Sequence, residues 1–524
     1  MEKGAEMLLR HINSNSHIHV VIDSDCDGYT SAALLINYLK IAYPNAKITY
    51  NLHPDKEHGI LPEELPIGVD LVIAPDSSSN QYDIHEQLAS ERIDILVLDH
   101  HEAEYYSEHA CVINNQLSQN YPNKTLSGVG VTYKFCSYLD YIRGSFLADQ
   151  FLDLVALGIR ADVMDLCDFE TRHLIKQGLK NVQNPYFKGM VEKQSYSLGG
   201  ELTPIGVAFY IAPYVNAVVR VGTQDEKLVL FESMLDYKAF EEIPSTKRGC
   251  KGQYETRVEQ ACRNCTNVKN RQTKARDASL NMIERIIEEE NLLKNQILLI
   301  CLDKPVETNL TGLIANSLMD EYKKPVLLLN KVDNGWAGSG RNVNGSTFSN
   351  FRDFLVQSNL VQYAEGHASA FGAAIAAENV DKLLSYSNDI LAGYDFAPCY
   401  NVDFIFENGK FNKQDILDIA ELKTLWGQGI EESLVLIKNI KVTAQNVSLM
   451  SKDKNPTLKI VLPNLVSAIK FRSNNDEYQE LYSDLGCVTI NIVGKCERNI
   501  WNGTISPQII IKEIEIVDRT QYYF

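Results

Sequence analysis

The chain has 524 residues, of which 45% are hydrophobic and 23% are charged, and its formal net charge is −18. This length exceeds what a single hydrophobic core usually holds, so we expect a globular protein with several domains. The acidic balance argues against indiscriminate nucleic-acid binding, because phosphate contacts need local Lys and Arg, but it still permits a nuclease with one basic groove.

Membrane, export and disulfide signals are weak. No apolar run reaches the length of a membrane span, and the N-terminus lacks the basic-then-apolar layout of a signal peptide. We therefore expect a cytoplasmic protein with no membrane partner. The eleven cysteines follow no disulfide framework, and Cys250, Cys262 and Cys265 form only a partial zinc motif, so unbound thiols are favoured.

Short apolar runs alternate with amphipathic segments through roughly the first third of the chain. This alternation is typical of an α/β domain with a mainly parallel sheet, in which ligands gather beyond the carboxyl ends of the strands. The predicted strands are His19–Ile22, Leu71–Ala74, Ile93–Leu98 and Cys111–Ile113, and the predicted helices are Ser31–Ala42, Ile84–Ala89 and Val131–Tyr141.

The first apolar run ends in three acids at alternate positions, Asp23, Asp25 and Asp27. If the backbone stays extended, alternate side chains share a face and the three carboxylates crowd together. A divalent cation is the usual remedy for crowded, partly buried carboxylates. The alternative is a solvated turn or a helix cap, with Thr30 or Ser31 as the capping residue, and this stretch alone favours neither interpretation.

Further polar groups follow other predicted elements. Asp76 follows the second strand, Asp99, His100 and His101 follow the third, and Asp162 follows an apolar helical segment. Because the carboxyl ends of parallel strands share one rim, these groups are expected to converge. Carboxylates with an imidazole suit Mn²⁺ or Mg²⁺, and paired ions about 3.5–4 Å apart recur in phosphoester hydrolysis.

These acids and histidines resemble the four motifs of the DHH phosphoesterases. The chain is most similar to the RecJ branch, the single-strand-specific exonucleases, over nearly its whole length. The stretches that carry the resemblance are Asp23–Gly28, Asp76, Asp99–His101, Val112–Asn115, Ser127–Val131, Gly158–Met164 and Ile211–Arg220.

The resemblance implies two ions, Mn²⁺ or Mg²⁺, with Asp76 as the bridge between them. It implies that Asp23 and Asp99 orient ligands or water and that His101 faces the scissile phosphate. The implied metal ligands are Asp25, Asp27, Asp76, His100 and Asp162, and the implied substrate-binding residues are Asn115, Arg220, Ser339, Arg341 and His367.

The middle of the chain predicts a long helix and then a second α/β unit. The polar stretch from 253 to 291 has apolar residues at helical intervals and contains neither Pro nor Gly. The predicted strands that follow are Ile297–Leu302 and Pro325–Leu329, on either side of a helix over Thr311–Glu321. Glycines beside Ser339 and Arg341 let backbone approach an anion.

This second unit resembles the DHH-associated domain, whose Arg-containing segment and Gly-Gly-His loop grip the end of a nucleic acid. Two departures from that pattern put the shape of the substrate groove in question. Glu365 stands where the family usually has the first glycine, and the stretch from Glu307 to Gly312 replaces a Trp-His-Pro-Gly style segment.

From about residue 396 the chain becomes strand-rich, which predicts a small barrel similar to the OB-fold of RecJ. Such barrels hold single strands by stacking bases on aromatic rings. Trp426, Phe471 and Trp501 are the candidates, and we expect one of them at most to contact a base. The predicted division is 1–235 for the DHH domain, 236–295 for a helical linker, 296–395 for the DHH-associated domain and 396–524 for the barrel.

The predicted function is a metal-dependent exonuclease that trims single-stranded DNA from the 5′ end to mononucleotides, in DNA repair or recombination. The sequence leaves open whether RNA is accepted and whether a helicase or single-strand-binding protein recruits the enzyme. One alternative is hydrolysis of short oligonucleotides or cyclic dinucleotides, which needs neither barrel nor linker. Another is an inactive replication-associated scaffold, which the full set of acids and histidines argues against.

Overall fold

A five-stranded parallel sheet with strand order β2-β1-β3-β4-β5 organises the N-terminal part of the chain. The computed structural model describes residues 1–54, 57–343, 345–450, 456–482, 486–501 and 503–521. The strands are β1 His17–Ile22, β2 Lys47–Leu52, β3 Leu71–Pro75, β4 Asp94–Asp99 and β5 Cys111–Asn114, and the first helices are α1 Glu2–Asn13, α2 Cys26–Ala42, α3 Tyr82–Ser90 and α4 Gly128–Arg143.

The four strands predicted from apolar runs are all present, and the mixed α/β class with a parallel sheet is confirmed. Strand β2 was not predicted. Its residues are only half-buried at the edge of the sheet, so the sequence KITYNL lacks an apolar run. An edge strand with one solvated face gives a weaker pattern than the fully buried β1, β3 and β4.

Helices follow the sheet and pack around it. They are α5 Leu152–Ala161, α6 Phe169–Lys180, α7 Pro185–Lys193, α8 Ser195–Leu198, α9 Pro204–Tyr210, α10 Ala212–Val221 and α11 Gln224–Ser233, and a short hairpin of β6 Glu242–Pro244 and β7 Tyr254–Thr256 comes next. The apolar stretch Pro204–Val221 has the length and composition of a membrane span, but half of it is buried in the protein. It comprises two short helices, so we interpret it as core.

The predicted long helix is present as α12 Arg257–Glu289. Cys262 and Cys265 are buried in this helix and Cys250 lies outside it; none of the three forms a disulfide among the described residues, and the absence of zinc from this group stays a prediction. The hydroxyl of Tyr186 lies 3.3 Å from Cys265 Sγ in the same core. These thiols therefore pack like small apolar side chains.

The chain divides into two compact units, Met1–Val268 together with Val402–Phe524, and Lys269–Asn401. The second unit contains a five-stranded sheet with order β11-β12-β10-β9-β8, in which only β8 and β9 are parallel. Its elements are β8 Leu298–Leu302, α13 Thr308–Tyr322, β9 Val326–Val332, β10 Gly335–Arg341, α14 Phe351–Gln357, β11 Val361–His367, β12 Ala370–Ile375 and α15 Val380–Ile390.

The C-terminal part of the first unit is a seven-stranded sheet with order β13-β14-β18-β19-β17-β16-β15 around its own apolar core. Its strands are β13 Phe404–Phe406, β14 Leu434–Val442, β15 Val447–Met450, β16 Thr457–Val461, β17 Ser467–Phe471, β18 Gly486–Trp501 and β19 Thr504–Gln521, with helices α16 Lys413–Glu421 and α17 Asn475–Leu481. The strand-rich C-terminus is confirmed.

Candidate metal centre

The acids after β1 and β3 lie where the order of strands reverses, at the carboxyl edge of the sheet. Strand β1 lies between β2 and β3, so the loops after β1 and β3 leave the sheet side by side. Such a point is the usual ligand site of an open parallel sheet. The geometry of the sheet therefore brings Asp23, Asp25 and Asp76 together.

Helix α2 begins five residues earlier than predicted, at Cys26. The side chain of Asp25 is the cap and accepts a hydrogen bond of 2.9 Å from Gly28 N, so the alternative in which Thr30 or Ser31 caps the helix does not apply. Asp27 therefore lies in the first helical turn. The expectation that an extended backbone places all three acids on one face is therefore wrong for Asp27. The first turn of α2 sets the direction of its carboxylate.

Asp27 and Asp76 are buried, with 1% of each residue exposed. Asp27 Oδ1 accepts hydrogen bonds from Ser127 Oγ at 2.9 Å and from Val129 N at 3.4 Å. Asp76 has a backbone φ of +68°, a left-handed conformation that costs a residue with a Cβ about 1–2 kcal/mol. A strained residue at the tip of a strand is typical of a functional position.

His100 lies among the carboxylates from three separate segments. Its Nε2 is 3.3 Å from Asp76 Oδ1 and 3.5 Å from Asp162 Oδ2. Asp27, His100 and Asp162 each offer a ligand atom within 4.8 Å of the other two. Asp23, Asp25 and Asp76 form a second such group. The two groups lie next to each other through the contact between His100 and Asp76.

The electrostatics of this cluster favour a positive charge among the acids. Burial and then the charge of Asp27 raise the pKa of Asp76 well above its ordinary value, and the same two causes raise the pKa of Asp162 to about 8. Burial also raises the pKa values of Asp25 and Asp27. Neighbouring buried carboxylates cannot all ionise unless a cation compensates them.

Two oxygens of the cluster have no hydrogen-bond partner in the described part of the chain, Asp27 Oδ2 and Asp76 Oδ1. Burial, and then the charge of His101, lower the pKa of His100 to about 4, so its ring is neutral and can donate a lone pair. Unpartnered carboxylate oxygens beside a neutral imidazole are the donor set of a Mn²⁺ or Mg²⁺ site. The residues present fit a pair of such ions.

His101 and Asp99 form a hydrogen-bonded pair at the edge of the cluster. His101 Nδ1 lies 2.8 Å from Asp99 Oδ1, and the Asp99 carboxylate also accepts from Ser79 N at 3.0 Å and His100 N at 2.7 Å. The hydrogen bond with Asp99 raises the pKa of His101 to about 9, against the effect of burial. The His101 ring is partly exposed and carries a proton near neutral pH.

A cavity of about 370 Å³ opens beside these groups. His58 and Gly59 contribute to its lining and were not predicted: His58 Nδ1 is 2.6 Å from Asp23 Oδ2, and Gly59 N donates to Asp23 Oδ1 at 2.9 Å. They lie in the loop after β2. Because the sequence did not predict β2, this loop was not recognised as part of the site. The cavity is lined by Asp23, His58, Gly59, Asp76, Ser77, Ser78, Asn80, Gln81, Asp99 and His101.

Two glycines allow other elements to approach the carboxylates. A methyl group at Gly128 would lie 2.2 Å from Asp76 Oδ1, and one at Gly158 would lie 2.3 Å from Asp27 Oδ1. Helices α4 and α5 can therefore pack against the acids only with glycine at these positions. The stretches Ser127–Val131 and Gly158–Met164, noted in the sequence, supply them.

Asn115 and Arg220, both predicted to bind substrate, do not line this cavity. Asn115 is buried, and its Nδ2 donates to Asn123 O and Leu126 O, both at 3.3 Å. It lies at a separate cavity of about 180 Å³. Arg220 is a partly exposed residue of α10.

In the second unit, the predicted binding residues share one face of the sheet. Ser339 pairs with Gly372 and Arg341 with Ala370 across β10 and β12, and β11 places Glu365 and His367 in the same two rows. Directly opposed residues of antiparallel strands point to the same side. The small residues Ala370 and Gly372 of β12 thus lie between the polar residues of β10 on one side and those of β11 on the other.

Helix α13 covers the β10 side of this face. Thr311 Oγ1 lies 2.9 Å from Ser339 Oγ, and a methyl group at Gly312 would lie 2.4 Å from Arg341 Nη2. The Glu307–Gly312 departure therefore contacts the predicted anion-binding residues directly. A groove of about 620 Å³ between α13 and the strands includes Thr308, Thr311, Ser339 and Tyr363.

The three aromatic candidates of the C-terminal sheet differ in exposure. Trp426 is 2% exposed and packs within the protein, so it is not available to stack on a base. Phe471 is 61% exposed on β17. The side chain of Trp501 lies outside the described residues.

Comparisons with known proteins agree with this architecture. The DHH family, N-terminal domain, matches residues 17–159, and the RecJ OB domain matches residues 402–513. The chain is 38% identical to YorK of Bacillus subtilis (strain 168), named as a candidate SPbeta prophage-derived single-strand DNA-specific exonuclease, over 99% of this chain and 91% of that protein.

Two solved structures of RecJ from Thermus thermophilus, titled as complexes with Mn²⁺ and with Mg²⁺, share the fold. The first has a TM-score of 0.73 at 18% identity and covers 98% of this chain and 71% of that chain. The second has a TM-score of 0.67 at 18% identity, covering 99% of this chain and 70% of that chain. The chain belongs to the RecJ-like branch of the DHH phosphoesterase family and is an enzyme of the phosphodiesterase class.

Proposed function

We propose that this protein is a metal-dependent exonuclease that removes mononucleotides from the 5′ end of single-stranded DNA. The observation that carries the proposal is the pair of adjacent ligand groups, Asp23, Asp25 and Asp76 in one and Asp27, His100 and Asp162 in the other. A single-strand DNA-specific exonuclease name on a relative with 38% identity supports the substrate. The 5′ polarity rests on the resemblance to RecJ.

In this proposal Asp25, Asp27, Asp76, His100 and Asp162 would hold two divalent cations. Such cations polarise a phosphoryl group, neutralise its developing charge and make water a stronger nucleophile. The chain itself would then need no covalent nucleophile. Asp23 would orient the metal ligands or a water molecule. Its carboxylate is held in place for this role by hydrogen bonds with Gly59 N and His58.

His101 contributes a positive charge and a hydrogen-bond donor at the wall of the cavity. Its Nδ1 proton is held by Asp99, so Nε2 is free of that hydrogen bond and can donate to a phosphate oxygen. A preorganised cation of this kind stabilises charge that develops on the phosphate. Asp99, fixed by the backbone N–H groups of Ser79, His100 and His101, sets the orientation of the ring.

Other residues are proposed to bind the parts of the DNA that lie away from the reacting phosphate. Asn115 and Arg220 in the first unit, and Ser339, Arg341 and His367 in the second, are proposed to contact phosphates or sugars. Phe471 is the proposed stacking residue of the C-terminal sheet, because it is the exposed one of the two described aromatic candidates.

We place the enzyme in the cytoplasm, where its substrate would arise during DNA repair or recombination. A helicase that unwinds a duplex, or a protein that coats single strands, would supply that substrate. Both are partners to be tested by co-purification, and neither is needed for the chemistry.

Digestion of end-labelled DNA tests the proposal. A 5′-labelled single strand should release labelled mononucleotide at once in Mn²⁺ or Mg²⁺, whereas a 3′-labelled strand should release its label last. A matched blunt duplex and a dinucleotide should be poor substrates, and EDTA should stop the reaction. Faster cleavage of the dinucleotide than of the long strand would contradict the proposal and favour a small-substrate phosphodiesterase.

A further inference from the structure

A glycine-rich turn of the C-terminal region lies against the loop that carries Asp162. Gly427 N donates to Ile430 O at 2.8 Å, and Ile430 N donates back to Gly427 O at 3.1 Å, which closes the turn. Trp426, just before it, is 2% exposed and anchors it in the protein. The turn and the loop belong to the same compact unit.

Two hydrogen bonds join the turn to the loop. Leu166 N donates to Gln428 O at 2.8 Å, and Cys167 Sγ donates to Gly429 O at 3.2 Å. Both bonds use backbone carbonyls of the turn, so they fix its path and not its side chains. The segment three to five residues after Asp162 is therefore held by a region more than 250 residues away in the chain.

The turn approaches the loop closely at two glycines. A methyl group at Gly429 would lie 2.3 Å from Asp165 Oδ1, and the residue has a φ of +78°, which favours glycine. A methyl group at Gly427 would lie 2.5 Å from Leu166 Cδ1 and 3.0 Å from Arg160 Nη1. Both glycines thus place the backbone of the turn against side-chain ends of the loop, which a methyl group would displace.

The loop under the turn is strained next to the proposed ligand. Val163, directly after Asp162, has a φ of +56° and is 56% exposed. A β-branched residue in the left-handed region costs about 1–3 kcal/mol and persists only where its surroundings hold it. Asp162 N donates to Gly158 O at 2.9 Å and Met164 N donates to Ile159 O at 3.3 Å, so the end of α5 holds Val163 on one side, and the bonds from Leu166 and Cys167 to the turn hold the loop on the other side.

We propose that the turn of Gly427, Gln428 and Gly429 is a positioning element that holds Asp162 in place for its metal ion. This inference rests on the proposed role of Asp162. Displacement of the turn releases Leu166 and Cys167, which loosens the loop after Asp162 and moves its carboxylate away from His100 and Asp27. The C-terminal domain then has a second task besides binding DNA, because it completes the metal centre.

The test substitutes Gly429→Ala in the full-length protein and measures Mn²⁺ binding by calorimetry. The new methyl group displaces Asp165, and we expect the affinity of one of the two Mn²⁺ sites to fall about tenfold. In the metal-free protein, hydrogen exchange at the amides of residues 163–167 should become faster. A normal affinity with unchanged exchange would overturn the proposal.

Two further variants separate positioning from backbone strain. Gly68→Ala has a similar φ of +80° but no heavy atom within 4 Å of its new methyl group, so it should bind Mn²⁺ like the wild type. Asp165→Ala removes the atoms that the Gly429 methyl group would meet, together with the hydrogen bond of 2.6 Å that Asp165 Oδ1 accepts from Cys167 N. The double variant is therefore compared with Asp165→Ala alone. In that background Gly429→Ala should lower the affinity little, and a further tenfold loss would overturn the proposal.

Gly427→Ala is the substitute test variant if Gly429→Ala does not fold. Its new methyl group meets the end of the Leu166 side chain, which can move without disrupting the fold. We expect an affinity about threefold lower in that variant, and unchanged affinity there would overturn the inference. Asp162→Asn distinguishes the two levels of the argument. If it leaves both Mn²⁺ sites intact, the proposed centre is wrong; if it removes one while both glycine variants bind normally, only the positioning inference fails.

Discussion

The two α/β regions of this chain place their polar side chains in different ways. In the N-terminal sheet all strands are parallel, and most of the acids lie at the ends of β1, β3 and β4 or in the residues that follow, with Asp27 in the first turn of α2 and Asp162 at the end of α5. In the second unit the polar residues lie along β10 and β11 themselves, on one face of antiparallel strands whose β10 side is covered by α13. Segments that meet at a shared rim can crowd buried carboxylates, whereas a strand face spaces its polar groups apart. Here Ser339 and Arg341 are half-buried, and Glu365 and His367 are exposed.

This difference in the placement of polar side chains indicates a different function for each region. Crowded carboxylates with raised pKa values form a site for cations and for chemistry. A flat face with Ser339, Arg341 and His367 at its borders suits an extended anion. Four substitutions, taken from the largest expected effect to the smallest, sharpen or break this comparison.

Asp76→Asn should have the largest effect. Asn keeps the shape of the side chain and tolerates the left-handed backbone, so the fold is retained while a shared ligand charge is lost. We expect turnover to fall roughly a thousandfold, since a metal ion contributes several kcal/mol to such reactions. Turnover and Mn²⁺ binding are the measurements, with Asp83→Asn as the control at an exposed acid of α3.

The same variant should unfold at a higher temperature than the wild type in EDTA, because Asn replaces a carboxyl whose pKa is raised by burial and neighbouring acids and which ionises more easily in the unfolded chain. Added Mn²⁺ should stabilise the wild type more than the variant. Equal unfolding temperatures of the two proteins, with and without Mn²⁺, would contradict the carboxylate cluster as the metal centre.

His101→Asn should reduce kcat roughly a hundredfold, the usual cost of removing one donor to a developing charge. Mn²⁺ affinity should change little, because His101 is proposed to face the phosphate. Steady-state kinetics beside calorimetry separate the two roles. His109→Asn, at an exposed histidine in the following loop, is the control. A large loss of Mn²⁺ affinity in His101→Asn would instead make it a ligand.

Arg341→Ala should weaken binding of a single strand about tenfold with little change in kcat, because one phosphate contact is lost. The slope of log affinity against log salt should become shallower by about one charge. Anisotropy titrations of a catalytically inactive background measure both. Arg276→Ala is the control, since that guanidinium pairs with Asp277. An unchanged salt slope would remove Arg341 from the binding face.

Glu365→Gly should have the smallest effect of the four substitutions, and it should improve substrate binding where the others impair binding or turnover. The exposed carboxylate shares the binding face, and one charge repels a phosphate about 4 Å away by about 1 kcal/mol in water. We expect KM for a 5′-phosphorylated strand to fall about threefold, with no change for a 5′-hydroxyl strand. Equal changes for both ends would show that Glu365 does not face the terminal phosphate.

The sequence by itself determined the parallel sheet and the acids of its rim, because fully buried strands leave unmistakable apolar runs and each run ends at a polar group. It did not reveal the edge strand β2, whose half-solvated residues leave no such run, and so it missed His58 and Gly59. Only the tertiary structure decided that Asp25 caps α2 and directs Asp27 from a helical turn.

The long-range contacts were also decided by the tertiary structure alone. The sequence left Trp426 as one of three candidate aromatics for base stacking, but the structure buries it and places the glycines beside it against the Asp162 loop. Periodicity reports how one segment faces solvent or core. It carries no information about which distant segment covers that face, because that depends on how the elements pack against one another.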